Sequence, residues 1–135
     1  GDLGYSIFDT HREDFPKNFY NCGASEVAMM DIAIGLAMSG KKPFVYSIAT
    51  FLLYRPFETI RNYIAYERIP VRLVASGRDK DYEHDGFSHW SEDAKKTLDL
   101  FPNITQYWPD HKEEIPRIVA QMIEKDQPSF VSLKR

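Results

Sequence analysis

Residues 25–52, SEVAMMDIAIGLAMSGKKPFVYSIATFL, carry two hydrophobic patterns that together decide the fold. Behind a serine N-cap, apolar residues recur at helical spacing and predict a helix from Glu26 to about Ser39. Gly40 suits the C-terminal cap of that helix. The apolar run Phe44–Ile48 then predicts a buried strand. A helix that leads into a buried strand is typical of α/β sheets.

The alternation of strands and helices extends on both sides of this stretch. Phe19–Gly23 predicts a short strand that ends in glycine. The other predicted elements are a helix beginning near residues 54–56, a strand at 71–75, a helix at 91–100, a strand at 104–107, a helix from residue 110 or 111 to 125, and a strand at 130–133. This order predicts an α/β fold of three layers, with helices on both faces of a parallel sheet.

The carboxyl ends of the predicted strands define the functional edge, because parallel sheets bind their ligands there. Three segments are expected at that edge: the turn Gly23–Glu26, the turn Thr50–Arg55 and the loop Ser76–His89. The loop is long and polar, which is unusual in a compact domain and marks a candidate binding loop.

The residues alone leave the role of each candidate open. Glu26, in the first turn of a helix, is either a capping acid or a catalytic carboxylate. His89 is either a surface histidine or a general acid or base. Phe51 and Tyr54 are either core residues or part of a binding surface. The loop carboxylates at 79–85 match no metal-ligand spacing, so we predict no metal site in this chain.

Composition excludes several classes of function. The net charge of −3 and the lack of a basic stripe argue against nucleic-acid binding. No apolar run is long enough to cross a bilayer, and the first residues do not form a signal peptide. Cys22 is the single cysteine, which fits a reducing compartment. We therefore expect a cytoplasmic protein without membrane partners.

Four segments carry a resemblance to a known family. Asp2–Gly4, Phe15–Glu26, Gly35–Leu52 and Asp85–His89 read DLG, FPKNFYNCGASE, GLAMSGKKPFVYSIATFL and DGFSH. In this order they resemble the pyrimidine-binding domain of transketolase-like thiamine diphosphate enzymes. The resemblance covers nearly the whole chain, so residues 1–135 are expected to form one such domain. The family's first helix and strand are expected to lie outside it.

The resemblance implies a role for each candidate residue. Glu26 would be catalytic and would bind a nitrogen of the cofactor's pyrimidine ring through a carboxyl group whose pKa is kept high by burial at the domain interface. Phe51 and Tyr54 would form an aromatic wall against that ring. Asp85 and His89 would face substrate hydroxyl groups, and His89 would also transfer protons.

The resemblance also implies an incomplete active site. The family's "GDG … NN" segment, which holds magnesium and diphosphate, is absent from this sequence. A diphosphate-binding domain or subunit is therefore the expected partner, in a homo- or hetero-oligomer. The implied reaction is transfer of a two-carbon ketol unit in carbohydrate metabolism. The alternatives are a deoxyxylulose-phosphate synthase-like enzyme, an acyloin synthase subunit and a non-catalytic assembly module.

Two positions depart from the family pattern. Gly77 stands where transketolases tend to place a histidine, and Trp108 stands where many carry an arginine that binds the sugar phosphate. The resemblance therefore does not extend to sugar-phosphate specificity.

Overall fold

The computed structural model describes Gly1 and residues 6–135. The Asp2–Gly4 motif of the resemblance lies outside these described residues. None of the helices in the described ranges combines the length and apolarity that a membrane crossing demands.

A parallel sheet forms the centre of the fold. Its strands are β1 (Phe44–Ile48), β2 (Arg72–Ser76), β3 (Thr105–Tyr107) and β4 (Ser129–Leu133). They are ordered β1-β2-β4-β3, and every neighbouring pair is parallel. All carboxyl ends therefore meet at one edge of the sheet.

Helices connect the strands. They are α1 (Asp9–Asp14), α2 (Glu26–Met38), α3 (Ala49–Tyr54), α4 (Phe57–Thr59) with a π-helical continuation (Ile60–Tyr66), α5 (Ala94–Leu98) and α6 (Ile115–Glu124). Short 3-10 turns lie at 6–8, 16–18, 83–85, 87–89 and 112–114.

Both faces of the sheet are covered, as the sequence predicts. Leu73 and Phe130 face a large core that helices α2, α3 and α5 complete. Val74 and Val131, one position further along each strand, face a smaller core with Ile118 of α6. This alternation follows from the two-residue period of a strand and confirms the three-layer α/β fold.

The predicted strand at Phe19–Gly23 is wrong. Phe19 is extended, but the segment joins no strand of the described sheet. The side chain of Asn21 accepts a hydrogen bond from the Gly23 backbone N–H at 2.9 Å, and Gly23 has φ +62°. This side-chain turn offers the backbone an alternative to strand pairing.

The helix predicted to begin near residues 54–56 is observed as α4 and its π-helical continuation, which begin at Phe57 directly after Pro56. The separate helix α3, which begins at Ala49 directly after β1, was not predicted. Helix α2 ends as predicted, because Gly40 adopts φ +78° just beyond it and donates its N–H to the Ala37 carbonyl group.

Candidate functional site

Glu26 is a buried carboxylate at the carboxyl edge of the sheet. It is the first residue of α2, and its side chain is only 3% exposed. Its Oε1 accepts a hydrogen bond from Ser47 Oγ at 3.1 Å, and its Oε2 accepts one from Arg55 Nη1 at 2.6 Å. The carboxylate therefore joins α2 to β1 and α3, which is more than a helix cap requires.

Helix α3 presents a stacked pair of side chains to this carboxylate. Phe51 and Arg55 are four residues apart, so they share one face of the helix. The Arg55 guanidinium carbon lies 3.8 Å from the centroid of the Phe51 ring. Arg55 is thus held by an aromatic face and by the Glu26 carboxylate together.

In this chain the pKa of Glu26 is lowered, which differs from the raised value expected for burial at a domain interface. Burial raises the pKa, but hydrogen bonds from Arg55, from its own backbone N–H and from Ser47, together with the Arg55 charge, outweigh that effect. The pKa of Glu26 is therefore below its ordinary value of 4.5. The expectation considered burial alone and omitted the guanidinium partner.

The predicted binding loop reaches the same site. Thr50 Oγ1 donates a hydrogen bond to the Ser88 carbonyl oxygen at 2.8 Å. The His89 ring meets the Phe51 ring at 4.9 Å between centroids, in an edge-on arrangement. Its Nδ1 lies 2.9 Å from Ser88 Oγ. The three segments expected at the functional edge therefore do come together.

A buried arginine fastens the start of this loop to the sheet. Arg78 Nη2 donates to the Ser132 carbonyl oxygen at 2.5 Å and to the Pro109 carbonyl oxygen at 2.8 Å. Just before it, Gly77 has φ +82°, and a Cβ there would clash with the Tyr82 ring. The loop in this conformation therefore has no room for a side chain at position 77.

Two of the predicted site residues have their contacts elsewhere. The Tyr54 hydroxyl group donates to Asp93 Oδ1 at 2.6 Å, next to α5. Burial and this hydrogen bond raise the pKa of Tyr54 to about 12. Asp85 pairs with its neighbour His84 at 3.2 Å, on the exposed part of the loop. Their roles in ring and substrate binding stay predictions.

Trp108, at the other departure from the family pattern, is packed into the domain. Its ring lies 5.5 Å from the Phe130 ring, and its Nε1 donates to Gln106 Oε1 at 3.1 Å. Within the described ranges, no three His, Cys, Asp or Glu side chains gather as a metal site would require.

The arrangement suits a flat ligand that hydrogen-bonds at its edge. Phe51 offers an aromatic face, Glu26 offers a buried carboxylate beside it, and His89 adds a titratable group. The guanidinium of Arg55, itself flat and rich in donors, demonstrates that such a group fits between Phe51 and Glu26. These features define an α/β domain with a buried carboxylate beside an aromatic face at its carboxyl edge.

Comparison with known proteins identifies the family. The chain belongs to the transketolase pyrimidine-binding domain family, whose model, "Transketolase, pyrimidine binding domain", matches residues 2–135. It is 31% identical over 98% of its length to an uncharacterized 33.6 kDa protein in the fasciation locus of Rhodococcoides fascians, covering 42% of that protein. It is 30% identical over 91% of its length to a Methanocaldococcus jannaschii protein provisionally named a transketolase C-terminal section, covering 39% of it.

A solved structure gives the same result. The chain is similar to a "Split gene transketolase, inactive beta4 tetramer", with a TM-score of 0.85 and 30% identity. The match covers 99% of this chain and 43% of that one. The chain thus spans about two fifths of the length of these relatives.

Sequence reasoning missed two residues of the site, Ser47 and Arg55. Ser47 lies within a predicted strand, and nothing in its spacing marks it as a partner of Glu26. Arg55 had a signal, because it stands four residues after Phe51. A helix predicted to begin near Tyr54 could not place Phe51 and Arg55 on one face.

Proposed function

We propose that this domain forms the pyrimidine half of a thiamine diphosphate site in a transketolase-type enzyme. The observation that carries the proposal is the buried Glu26 carboxylate beside the face of Phe51. A ring stacked on Phe51 could meet Glu26 at its edge, so these residues fit the pyrimidine ring of the cofactor. When bound, thiamine diphosphate would supply the electron sink for breaking a carbon–carbon bond.

The proposed roles follow from the contacts of each residue. Glu26 binds the ring nitrogen and holds or shares a proton there, and Ser47 orients the carboxyl group through its hydrogen bond. Phe51 supplies the stacking surface. His89, against the edge of Phe51, is within reach of a substrate next to the ring and transfers its proton. Tyr54 and Asp85 keep their predicted roles in ring and substrate binding.

The proposal includes a partner that binds the diphosphate and magnesium. The described residues gather no metal site, and the "GDG … NN" segment is absent from the sequence. The similar split-gene transketolase is described as an inactive β4 tetramer, which supports a need for a second kind of chain or domain. We propose that a complex of the two is the active two-carbon transferase.

The apolar packing of Trp108 limits the proposed substrate. Where many transketolases carry a phosphate-binding arginine, this chain packs an indole ring against Phe130. This favours a donor or acceptor substrate that is not bound at this position through a phosphate group. A non-catalytic module is the less supported alternative, since assembly alone does not require a carboxylate buried beside an aromatic face.

Reconstitution tests the proposal. The chain, mixed with a diphosphate-binding subunit, magnesium and thiamine diphosphate, should transfer a ketol unit from a ketose to an aldehyde acceptor. Neither chain alone should do so. Failure of the assembled complex to form carbon–carbon bonds with any of a panel of ketoses and 2-oxo acids would reject the enzymatic proposal.

A further inference from the structure

Arg55 stands in the position that the proposed function assigns to a ligand. Its guanidinium group contacts the Phe51 face at 3.8 Å and the Glu26 carboxylate at 2.6 Å. These are the two surfaces that a pyrimidine ring would need, one for stacking and one for a hydrogen bond at its edge. The guanidinium group and a pyrimidine ring are both flat, so each would fill the same layer of van der Waals thickness over the Phe51 ring.

We infer that Arg55 closes the ring site of the free chain, so that its contacts with Phe51 and Glu26 and the binding of a pyrimidine ring exclude each other. This inference rests on the proposed function and concerns its regulation. A ring can reach Glu26 over that face of Phe51 only after the guanidinium group has moved away.

The position of Arg55 makes such a movement feasible. Its side chain is 44% exposed, whereas the Glu26 side chain is only 3% exposed. Arg55 directly follows the last residue of α3, and α4 begins only after Pro56, so Arg55 lies between the two helices. The guanidinium group can therefore rotate into solvent without the loss of a core contact, while Glu26 stays in place.

The exchange would also change the charge at the site. The guanidinium group stabilises an ionised Glu26, whereas a ring nitrogen that accepts a hydrogen bond requires a protonated carboxyl group. Departure of Arg55 removes its hydrogen bond and its charge, both of which lower the pKa of Glu26, and leaves burial, which raises that pKa, opposed only by the hydrogen bonds from Ser47 and from the backbone. Opening of the site and preparation of its carboxyl group would then be a single event.

The experiment uses the hydroxymethyl aminopyrimidine half of thiamine as the probe. It is titrated into the isotope-labelled chain while nuclear magnetic resonance follows the Phe51 ring, the Arg55 Nε–H group and the Glu26 carboxyl carbon. In the unsubstituted chain, the Arg55 signal should move to the position of a solvated guanidinium group as the Phe51 signals shift. Both changes should saturate at the same probe concentration.

Substitution of Arg55 provides the second part of the test. Arg55→Met should bind the probe more tightly, on the order of tenfold, because no ion pair or cation–π contact has to be broken first. Arg55→Lys, which keeps the charge but not the flat group, should fall between the two. Arg61→Met is the matched control, because the Arg61 side chain donates a hydrogen bond to the adjacent Asn62 on the π-helical continuation. The Arg61→Met chain should bind the probe as tightly as the unsubstituted chain.

The outcomes separate this inference from the proposed function. If the probe shifts Phe51 while Arg55 keeps its contact with Glu26, or if Arg55→Met binds no more tightly, the inference is overturned and the ring site stands. If the probe shifts Phe51 in neither the unsubstituted chain nor Arg55→Met, the ring site itself is overturned, and the proposed function fails with it.

Discussion

The guanidinium group of Arg55 lies 2.6 Å from the carboxylate of Glu26, and this contact stabilises the negative charge of a buried side chain. Burial raises the pKa of Glu26, but the hydrogen bonds from Arg55, the backbone and Ser47, together with the Arg55 charge, bring it below the ordinary value of 4.5. A group whose pKa is lowered by folding adds stability above its unfolded pKa and loses it as the pH falls through its folded pKa.

Arg55→Met should therefore destabilise the fold in a pH-dependent way. At neutral pH we expect the free energy of unfolding to fall by about 1–2 kcal/mol, since a half-exposed arginine contributes less than a buried one. As the pH falls from the ordinary value of 4.5 through the lower pKa of folded Glu26, the ion pair is lost and the difference between the two proteins should shrink. Urea denaturation across pH measures it, with Arg61→Met as control. An equal difference at every pH would contradict the ion-pair account.

Arg78 should hold the loop 77–89 in place. Arg78→Met leaves the buried carbonyl groups of Ser132 and Pro109 without their guanidinium donor, which should cost about 2 kcal/mol of stability. Hydrogen exchange should accelerate at amides of the loop 77–89. Lys80→Met, which removes an exposed cation from the same loop, is the control and should change little. Unchanged exchange in Arg78→Met would show that the loop is fixed by other contacts.

Much of the fold could be predicted from the sequence because its signals are local. The apolar run Phe44–Ile48 predicts a strand, which the structure has. Gly40 predicts the end of α2, and in the structure it adopts φ +78°. Phe19–Gly23 has the composition of a strand, but the segment forms the turn stabilised by the Asn21 side chain and does not pair with a strand of the described sheet. Composition does not reveal whether an extended segment finds a neighbour.

The candidate site was predictable in its residue types but not in its charge. The resemblance named Glu26 and Phe51, and the structure places both beside Arg55. The state of a buried carboxylate depends on a partner 29 residues away, which only the tertiary fold brings close. The omission of one element, the helix that begins at Ala49, was enough to conceal that partner.

The isolated chain should bind thiamine diphosphate poorly. The described residues gather no metal site, so the diphosphate and magnesium would lack their main anchors. Isothermal calorimetry with the chain, the cofactor and magnesium should detect no tight binding. A submicromolar dissociation constant would contradict the division of the site between two domains. It corresponds to a binding free energy on the order of −8 kcal/mol or better, which is more than contacts with the ring alone would supply.

The outward side of α2 should belong to an interface. Val27, Ile32 and Met38 lie there, exposed by 46%, 47% and 73%, on the helix that begins with Glu26. Ile32→Asp should weaken assembly with the diphosphate-binding partner by at least tenfold in dissociation constant, since it buries an unpaired charge. The measurement is analytical ultracentrifugation or titration of the partner.

The control for this prediction is Ile123→Asp on α6. Ile123 is exposed to a similar extent, 42%, but lies on a helix that covers the other face of the sheet. It should assemble normally. Equal effects of the two substitutions, or no effect of either, would place the interface elsewhere.

We propose that Glu26 holds or shares a proton with the bound cofactor, and deuterium exchange at the cofactor's thiazolium carbon measures this role. In the reconstituted complex, Glu26→Gln keeps the shape of the side chain but cannot share a proton, so exchange should slow by on the order of a hundredfold or more. His89→Ala is the control, in which exchange should persist while ketol transfer weakens. Exchange in Glu26→Gln at the rate of the unsubstituted complex, with a normally folded domain, would contradict the account.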